Sequence, residues 1–376
     1  MSPGQEITHN FIMNKKIKVI LVAGASGGHI FPALGLYEHL LNRALKIEAR
    51  MVLPRRCVNF KSGYPGLVIE RISVTNISRK PSIVNILAAW NLIKSFFESL
   101  FILVSFRPDV VVGFGTLCSV PVVMLSWFFR IKTVIHEQNV YPGLANRILS
   151  KFADKVAVSF PESVKLFPCA EEKIVVTGNP LVNRLKKVKR EEGIKFFNLS
   201  LDKFTILVMG GSQGSQAINN LFADTLSRII NKEKLQVIHL SGRRDRQYLD
   251  RKYENSGVEV KVNCFLDEMY YAYSCADLAI TRAGAATLTE LVFYKIPAII
   301  IPYPYAAKHQ VANAQALQKK GCIIVMPEDI ISEAVLSEKI NTLLSDSNEL
   351  NRIKDCYDAV KNEYNEKTFG DIVLSI

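Results

Sequence analysis

The hydrophobic and polar positions of the chain follow a repeating pattern, in which short apolar runs alternate with longer segments of helical periodicity. The first apolar run is 17–22, a glycine-rich segment follows at 24–28, and a helical pattern occupies 31–43. Further short apolar runs lie at 110–112, 132–135 and 156–158. Strands that alternate with helices form parallel β-α-β units with helices on both faces of the sheet.

The same pattern begins again near the middle of the chain. A strand is predicted at 204–209, a second glycine-rich segment at 210–214 and a helix at 217–230. Later apolar runs lie at 237–240, 278–280, 298–301 and 322–325. The fold class is therefore predicted as α/β, with two doubly wound, Rossmann-like parallel-sheet domains that face a cleft.

Domain boundaries follow from length and composition. A chain of 376 residues favours two domains, at about 100–200 residues for each. The segment 183–193 is rich in Lys and Arg and poor in apolar residues, which is typical of a linker. We therefore expect an N-terminal domain at 1–182, a C-terminal domain at 194–345 and a helical tail at 346–376.

Composition narrows the class of protein. Hydrophobic residues make up 49% of the chain and charged residues 22%, as in globular proteins. None of the seven cysteines forms a C-x-x-C pair, which argues against a zinc site or a disulfide framework and fits a reducing cytosol. The net charge of +12 suits anionic lipid or phosphorylated substrates. Nucleic acid is not expected as a partner, because zinc-finger spacings and aromatic ribonucleoprotein motifs are missing.

Membrane segments are not expected from the sequence. Residues 1–16 lack the basic, apolar and small-residue order of a secretory signal. In 83–106, polar residues interrupt the run of about 20 apolar residues that a spanning helix needs, namely Asn85, Asn91, Lys94 and Glu98. Most of this segment is expected to pack as a core helix. We expect its N-terminal part, with Arg79 and Lys80, to dock on anionic lipid.

The first glycine-rich segment, 24–28, ends next to His29 at the start of a predicted helix. Its spacing is neither the dinucleotide fingerprint nor a Walker A loop. Glycines allow close approach of a ligand to the backbone, and a helix N-terminus attracts negative charge. His29 is either a residue that packs at the turn or a general base, since a helix N-terminus favours the neutral ring.

Two further segments in the second half have the same character. Ser212 lies in the glycine-rich segment 210–214, which is either a phosphate-binding loop or a plain turn. Thr287 and Glu290 have the spacing of a capping box at a helix start. The alternative is that this helix start binds a diphosphate and that Glu290 accepts hydrogen bonds from a ribose diol.

Polar side chains in two other places suggest ligand contacts. His136, Glu137, Gln138 and Asn139 follow a strand, where ligands of parallel sheets bind. Gln310 and Asn313 share a helical face that could contact a sugar or only solvent. The sequence has no D-x-D pair and no Cys–His cluster, so a metal site is not expected.

Seven motifs in order resemble one family. They are Gly-x-Ser-Gly-Gly-His-Ile-Phe-Pro-Ala, His-Glu-Gln-Asn, Gly-Asn-Pro, Gly-Gly-Ser-Gln-Gly, Phe-Leu-Asp-Glu-Met, Arg-x-Gly-Ala-x-Thr-x-x-Glu and His-Gln-x-x-Asn-Ala, between about Lys18 and Val325. Together they resemble the MurG family, the undecaprenyldiphospho-muramoylpentapeptide β-N-acetylglucosaminyltransferases. The resemblance implies a GT-B fold and an inverting transfer without metal or cofactor.

The resemblance also implies the partners. UDP-N-acetylglucosamine would be the donor, bound by the second domain, and lipid I the acceptor, bound by the first. The product would be lipid II, for peptidoglycan synthesis and hence cell shape and division. The enzyme would be peripheral, on an anionic membrane surface at the cytoplasmic face of the plasma (inner) membrane, near other cell-wall synthesis proteins.

Site residues can be carried over one by one. Ser26, Gly27 and Gly28 would lie on the donor–acceptor cleft with His29 beside them, Asn139 would contact the donor sugar, and Ser212 would contact phosphate. Leu266 would lie by the uracil, and Gln310 would bind the sugar hydroxyls. The diphosphate and ribose would contact Ala285, Ala286, Thr287, Leu288, Thr289 and Glu290, with Glu290 on the ribose.

The chain departs from the family pattern at one position. The family has an arginine two residues after Gly-Asn-Pro, where this chain has Val182, and the nearest arginine is Arg184. Three other functions remain open from the sequence: a different GT-B enzyme such as a diacylglycerol glycosyltransferase, a UDP-N-acetylglucosamine 2-epimerase, and a non-catalytic nucleotide-sugar-binding protein.

Overall fold

Two separate parallel β-sheets organise the chain, as the alternation of apolar runs and helical segments predicts. The structure, a computed structural model, describes residues 16–43, 46–58, 60–75, 83–305, 309–362 and 368–376. The chain divides into a first unit, residues 1–184 with 364–376, and a second unit, residues 185–363. The two-domain α/β fold is confirmed.

The first unit is built on seven parallel strands in the order β3-β2-β1-β4-β5-β6-β7. The strands are β1 (Ile17–Val22), β2 (Ile47–Pro54), β3 (Leu67–Ile72), β4 (Val110–Gly113), β5 (Lys132–Glu137), β6 (Lys155–Val158) and β7 (Ile174–Val176). Its first helices are α1 (Gly27–Asn42), α2 (Ile83–Phe106), α3 (Thr116–Phe128) and α4 (Leu144–Leu149), followed by 3-10 helices at Pro161–Leu166, Glu171–Lys173 and Pro180–Arg184. Helix α1 packs in the core on one sheet face, and α2 and α3 pack in the core on the other.

The second unit repeats this plan with six parallel strands in the order β10-β9-β8-β11-β12-β13. Its strands are β8 (Phe204–Met209), β9 (Leu235–Leu240), β10 (Glu259–Asn263), β11 (Leu278–Thr281), β12 (Ala298–Ile300) and β13 (Ile324–Val325). Its helices are α5 (Arg190–Phe197), α6 (Gln216–Thr225), α7 (Arg246–Tyr253), α8 (Met269–Cys275), α9 (Ala285–Tyr294), α10 (His309–Lys319), α11 (Glu333–Ser345) and α12 (Ser347–Asn362). Short 3-10 helices lie at Leu226–Arg228 and Lys232–Lys234.

The boundaries differ in detail from those expected. The boundary between the two units lies between Arg184 and Leu185, inside the predicted linker 183–193. Helix α5 already begins at Arg190, and Arg190 forms an ion pair with Asp277 of the second unit. The predicted tail 346–376 is divided, because α12 belongs to the second unit and the last helix, α13 (Phe369–Leu374), to the first.

Helix α2 has polar side chains on its buried side and large apolar side chains on its exposed side, which is the reverse of an ordinary core helix. Its buried side includes Ser95 and Ser99, whose hydroxyls donate to the helix's own carbonyl groups of Leu92 and Ser95, both at 2.6 Å. Its exposed side, which we name the α2 apolar face, consists of Ile86, Leu87, Trp90, Ile93, Phe97, Phe101 and Val104. The expectation that most of this segment would be an ordinary core helix is wrong for these residues.

The length and composition of this helix also differ from expectation. The 22 residues Asn85–Phe106 are long and apolar enough to cross a membrane by those two criteria, so the polar interruptions do not rule out a spanning helix. However, Ile102, Leu103 and Phe106 are buried against the sheet of the first unit. Arg79 and Lys80, the predicted lipid contacts, lie outside the described residues.

The last helix completes the core of the first unit. The ring of Phe369 packs at 4.9 Å from the ring of His136 and at 5.9 Å from that of Phe114. Asp371 caps the start of α13 through Thr368 and forms a 2.6 Å ion pair with Arg43 of α1. The end of the chain therefore supports the strand that carries His136.

We predict that Phe369→Ala destabilises the first unit by about 3–5 kcal/mol, the usual cost of removing a buried aromatic ring. Both tryptophans, Trp90 and Trp127, lie in this unit, so urea unfolding followed by tryptophan fluorescence reports on it selectively. Phe101→Ala is the matched control, because Phe101 is 74% exposed. Equal losses from the two substitutions would contradict the supporting role of Phe369.

Candidate functional site

The strand order of the first sheet reverses between β1 and β4, which leaves a crevice at their carboxyl ends where ligands of such sheets bind. Two loops meet there. A Cβ atom on Gly24 would lie 2.5 Å from the methyl group of Thr116, so the loops after β1 and β4 are in direct contact. Thr116 has a φ of 67°, which is strained for a β-branched residue. We did not predict this second loop, although Gly113 and Gly115 follow an apolar run.

Ser26 and His29 are joined at the start of α1. Ser26 is the N-cap residue, yet its hydroxyl lies 2.8 Å from His29 Nδ1 and caps no backbone group. Within the described residues, the N–H groups of Gly27 and Gly28 therefore have no side-chain cap. The first turn of α1 presents these backbone donors beside a histidine whose Nδ1 is already engaged.

Burial sets the protonation of two histidines in this unit. Burial lowers the pKa of His29 to about 4, so the ring is neutral at pH 7. Burial also lowers the pKa of His136 to about 4, and a positive charge on His29 would lower it further. His136 is fully buried, with Nε2 at 3.1 Å from the carbonyl oxygen of Gly178. His136 is therefore a core residue and does not form part of the crevice surface.

Glu137 organises the loop that contains Asn139. Its carboxylate accepts hydrogen bonds from the Asn139 N–H and side-chain amide, from the Gly143 N–H and from the Asn146 amide, at 2.8–3.1 Å. Four donors satisfy the lone pairs of a carboxylate, and the side chain is 3% exposed. Glu137 therefore holds the loop in place, and Asn139, one of its donors, is partly exposed.

The second unit has its strand-order reversal between β8 and β11. Gly210 and Gly214 are needed in the loop after β8, because a Cβ atom would lie 2.3 Å from the Ser215 nitrogen or the Ser241 oxygen. Arg282, directly after β11, donates to the Ser215 hydroxyl at 2.7 Å and to the Ile301 carbonyl at 3.1 Å. Arg282 thereby ties the two loops of this crevice together, and Ser212 is exposed at its rim.

Helix α9 begins at this crevice without a side-chain cap. Its N-cap is Gly284, so the capping box predicted for Thr287 and Glu290 is wrong: both residues lie within the helix. Ala285 is buried, Leu288 is fully buried, and the Thr289 hydroxyl donates to the Ala285 carbonyl. In the described structure the donors at this helix start include the backbone N–H groups of Ala286 and Thr287.

Glu290 has one hydrogen-bond partner among the described residues. The hydroxyl of Tyr273 donates to Glu290 Oε2 at 2.7 Å. Burial raises the pKa of Glu290 to about 7, and the bond from Tyr273 opposes the rise. The other oxygen, Oε1, is left available for a ligand.

Gln310 has a structural bond as well as a predicted ligand role. Its Oε1 accepts hydrogen bonds from the N–H groups of Ala283 and Tyr303, at 3.2 and 2.9 Å. Because an amide is planar and rigid, these bonds fix the direction of its NH₂ group. Gln310 thus belongs to the same crevice as Arg282 and the start of α9.

The remaining predicted residues lie in different surroundings. Leu266, after β10, is partly exposed and lines a groove of about 370 Å³ with Phe197 and Arg246. Arg184 pairs with Glu38 at 3.1 Å and lies over the ring of Phe31. Among the described residues, no group of three or more His, Cys, Asp or Glu side chains is arranged to hold a metal ion.

We predict that the His29 ring stays neutral from pH 8 down to about pH 5, because burial disfavours the charged form. Nuclear magnetic resonance of histidine labelled in its ring follows the titration, and His29→Gln assigns the signal. A midpoint near the ordinary histidine value of 6.5 would contradict the neutral ring.

Comparison with known proteins gives both halves of the chain the same assignment. The profile "Glycosyltransferase family 28 N-terminal domain" matches residues 19–158, and "Glycosyltransferase family 28 C-terminal domain" matches residues 205–367. The second profile covers the β8 and β11 loops, and the first covers the loops after β1, β4 and β5. Both crevices therefore lie in matched sequence.

Individual relatives agree with the profiles over most of the chain. A protein of Halothermothrix orenii named UDP-N-acetylglucosamine--N-acetylmuramyl-(pentapeptide) pyrophosphoryl-undecaprenol N-acetylglucosamine transferase is 38% identical over 90% of this chain and 93% of its own. The protein of the same name in Desulforamulus reducens is 34% identical, over 89% and 92% of the two chains.

Solved structures show the same fold. The crystal structure of Acinetobacter baumannii MurG superposes with a TM-score of 0.72 at 24% identity, covering 96% of this chain and all of that one. A putative UDP-N-acetylglucosamine 2-epimerase from Listeria monocytogenes shares the fold at a TM-score of 0.66 and 11% identity, over 96% and 94% of the two chains. With two family 28 profiles matched and relatives above 30% identity along nearly the whole length, the chain belongs to glycosyltransferase family 28 and, within it, to the MurG family.

Proposed function

We propose that the protein transfers N-acetylglucosamine from UDP-N-acetylglucosamine to lipid I, undecaprenyl-diphospho-N-acetylmuramoyl-pentapeptide, and so forms lipid II for the peptidoglycan of the cell wall. The observation that carries the proposal is the likeness, over about 90% of the chain, to relatives named for this transfer. Each unit also has a strand-order reversal with glycine-rich loops, where nucleotides and phosphates bind in such sheets.

The second unit has the groups that a UDP-sugar requires. The uncapped N–H groups at the start of α9, together with Ser212, suit the two phosphates. Glu290, with Oε1 available, suits the ribose diol, and we assign Leu266, which lines a groove after β10, to the uracil. The bonds accepted by its oxygen fix the NH₂ group of Gln310, and we assign this group as the donor to a sugar hydroxyl.

The first unit has the groups for the acceptor. A hydroxyl of the muramoyl sugar attacks the anomeric carbon of N-acetylglucosamine, the bond from that carbon to the diphosphate breaks, and UDP leaves with inversion. We assign His29 as the base that takes the hydroxyl proton. For Nε2 to accept it, Nδ1 must carry the other proton and donate it to Ser26, at the observed 2.8 Å.

The transfer is tested by incubation of the protein with labelled UDP-N-acetylglucosamine and a lipid I analogue, with and without EDTA. We expect label in the lipid product in both cases. His29→Ala should lower kcat by about 10²–10⁴-fold, the usual contribution of general base catalysis, with the donor KM nearly unchanged because the base serves the acceptor.

His39→Ala is the matched control, since His39 is on the same helix but contacts Thr368 and Arg43. It should lower thermal stability and leave kcat close to that of the wild type. A kcat for His29→Ala within about tenfold of wild type would exclude His29 as the base. Release of UDP-N-acetylmannosamine, or donor binding without turnover, would contradict the transferase proposal.

We also propose that the protein is peripheral, at the cytoplasmic face of the plasma membrane, with the α2 apolar face on the lipid. In that face Trp90, Phe97 and Phe101 are 66–74% exposed. Exposed apolar side chains continue on the neighbouring helices α3 and α4, at Trp127, Phe128, Leu144 and Ile148. Exposed cations lie beside them, at Arg130, Arg147 and Lys151, as suits anionic lipid. In this position other cell-wall synthesis proteins would be its neighbours.

We predict that Phe97→Ser with Phe101→Ser lowers binding to vesicles of anionic phospholipid by tenfold or more, roughly the value of burying one to two aromatic rings. Co-sedimentation measures the bound fraction. Ile230→Ser with Ile330→Ser is the control pair, because both residues are equally exposed in the second unit. Unchanged binding of the first pair would place the lipid contact elsewhere.

A further inference from the structure

Tyr273 is a buried residue that neither the motifs nor the proposed chemistry uses. It lies on α8, is 4% exposed, and donates its hydroxyl proton to Glu290 Oε2 at 2.7 Å. A tyrosine hydroxyl has a single proton, so its contact with Met209 Sδ at 3.7 Å is secondary. The one strong hydrogen bond of Tyr273 is therefore its bond to the Glu290 carboxylate, which the proposed function assigns to the ribose.

The position of Tyr273 is itself fixed by packing. Its ring stacks on that of Tyr294, with centroids 5.0 Å apart and an angle of 25° between the planes. The hydroxyl of Tyr294 donates to the Lys186 carbonyl at 2.6 Å and takes no part in the bond to Glu290. Two stacked tyrosines thus have different hydroxyl partners, which allows their roles to be separated.

We propose that Tyr273 is a positioning residue of the nucleotide site, whose hydroxyl orients the Glu290 carboxylate through Oε2 and leaves Oε1 for the ribose hydroxyls. The proposal rests on the proposed function, because it takes the ligand of Glu290 to be a ribose. Glu290 is part of a helix that begins without a side-chain cap, so no structural bond of a capping box competes for its oxygens.

The bond from Tyr273 also favours the ionised form of Glu290. Burial raises the pKa of this carboxyl to about 7, and the hydrogen bond from Tyr273 lowers it. Tyr294 is the other titratable neighbour, and burial together with the negative charge of Glu290 raises its own pKa to about 12. Loss of the Tyr273 hydroxyl should therefore raise the pKa of Glu290. The ionised carboxylate, which is the stronger hydrogen-bond acceptor, is then lost at a higher pH as the pH falls.

The test measures binding of UDP-N-acetylglucosamine by calorimetry from about pH 6 to pH 8.5. Both phosphates of this ligand are esterified, so it lacks the ionisation near pKa ~6 of a phosphate monoester. We expect Tyr273→Phe to weaken binding about tenfold at or below pH 7, the size expected when a charge-assisted hydrogen bond loses its support. The difference in affinity between Tyr273→Phe and wild type should become smaller toward pH 8.5. Tyr294→Phe should stay within about twofold of wild type at every pH.

Several results would overturn the proposal. A loss for Tyr273→Phe of the same size at every pH would indicate a purely structural residue, and so would an equal loss for Tyr294→Phe. Unchanged affinity for Tyr273→Phe would show that Glu290 needs no positioning. If the wild-type protein fails to bind UDP-N-acetylglucosamine, the proposed function is contradicted as well. If the wild-type protein binds it and the affinity difference between wild type and Tyr273→Phe does not change with pH, only the role of Tyr273 is contradicted.

Discussion

The direction of the chain at two central strand pairs is the constraint on which both crevices depend. At β1 and β4, and again at β8 and β11, the strand order reverses, so the connections leave the sheet toward opposite sides and their loops separate at the carboxyl ends. Backbone N–H groups then become the main donors available there. Contacts between loops keep these openings in shape, through Gly24 against Thr116 in one unit and Arg282 on Ser215 in the other.

Much of the polar chemistry around these openings positions other groups. Glu137 receives four hydrogen bonds, and His136 is fully buried and neutral at pH 7. A buried carboxylate whose lone pairs all accept hydrogen bonds holds its donors in place and has no lone pair left for a substrate. In contrast, among the described residues His29 has one ring nitrogen without a hydrogen-bond partner and Glu290 has one such carboxylate oxygen.

The period of apolar runs predicted the strands at the centre of both sheets and the two glycine-rich loops, since a buried parallel strand is a short, continuous apolar run. It did not predict β2 or β3, where Glu48, Arg50, Glu70 and Arg71 interrupt the apolar pattern and form an ion pair across the strands between Arg50 and Glu70. Two contacts were also beyond prediction: the hydrogen bond between Tyr273 and Glu290 joins two helices, and the packing of Phe369 on His136 joins residues far apart in the sequence. Such contacts depend on tertiary packing that local spacing does not encode.

Helix α2 shows why the composition of a helix does not reveal which side is buried. Its serines can face the sheet because their hydroxyls bond to carbonyl groups of the same helix, which removes most of the cost of burying a polar group. Its aromatic side chains then have no core to fill and remain on the surface. Isolated exposed apolar residues are common, but a continuous stripe along about five turns of helix is a feature of surfaces that bind another apolar phase. Since the stripe continues onto α3 and α4, the first unit presents a broad apolar surface bordered by cations, which is the surface that the proposed docking on anionic lipid needs.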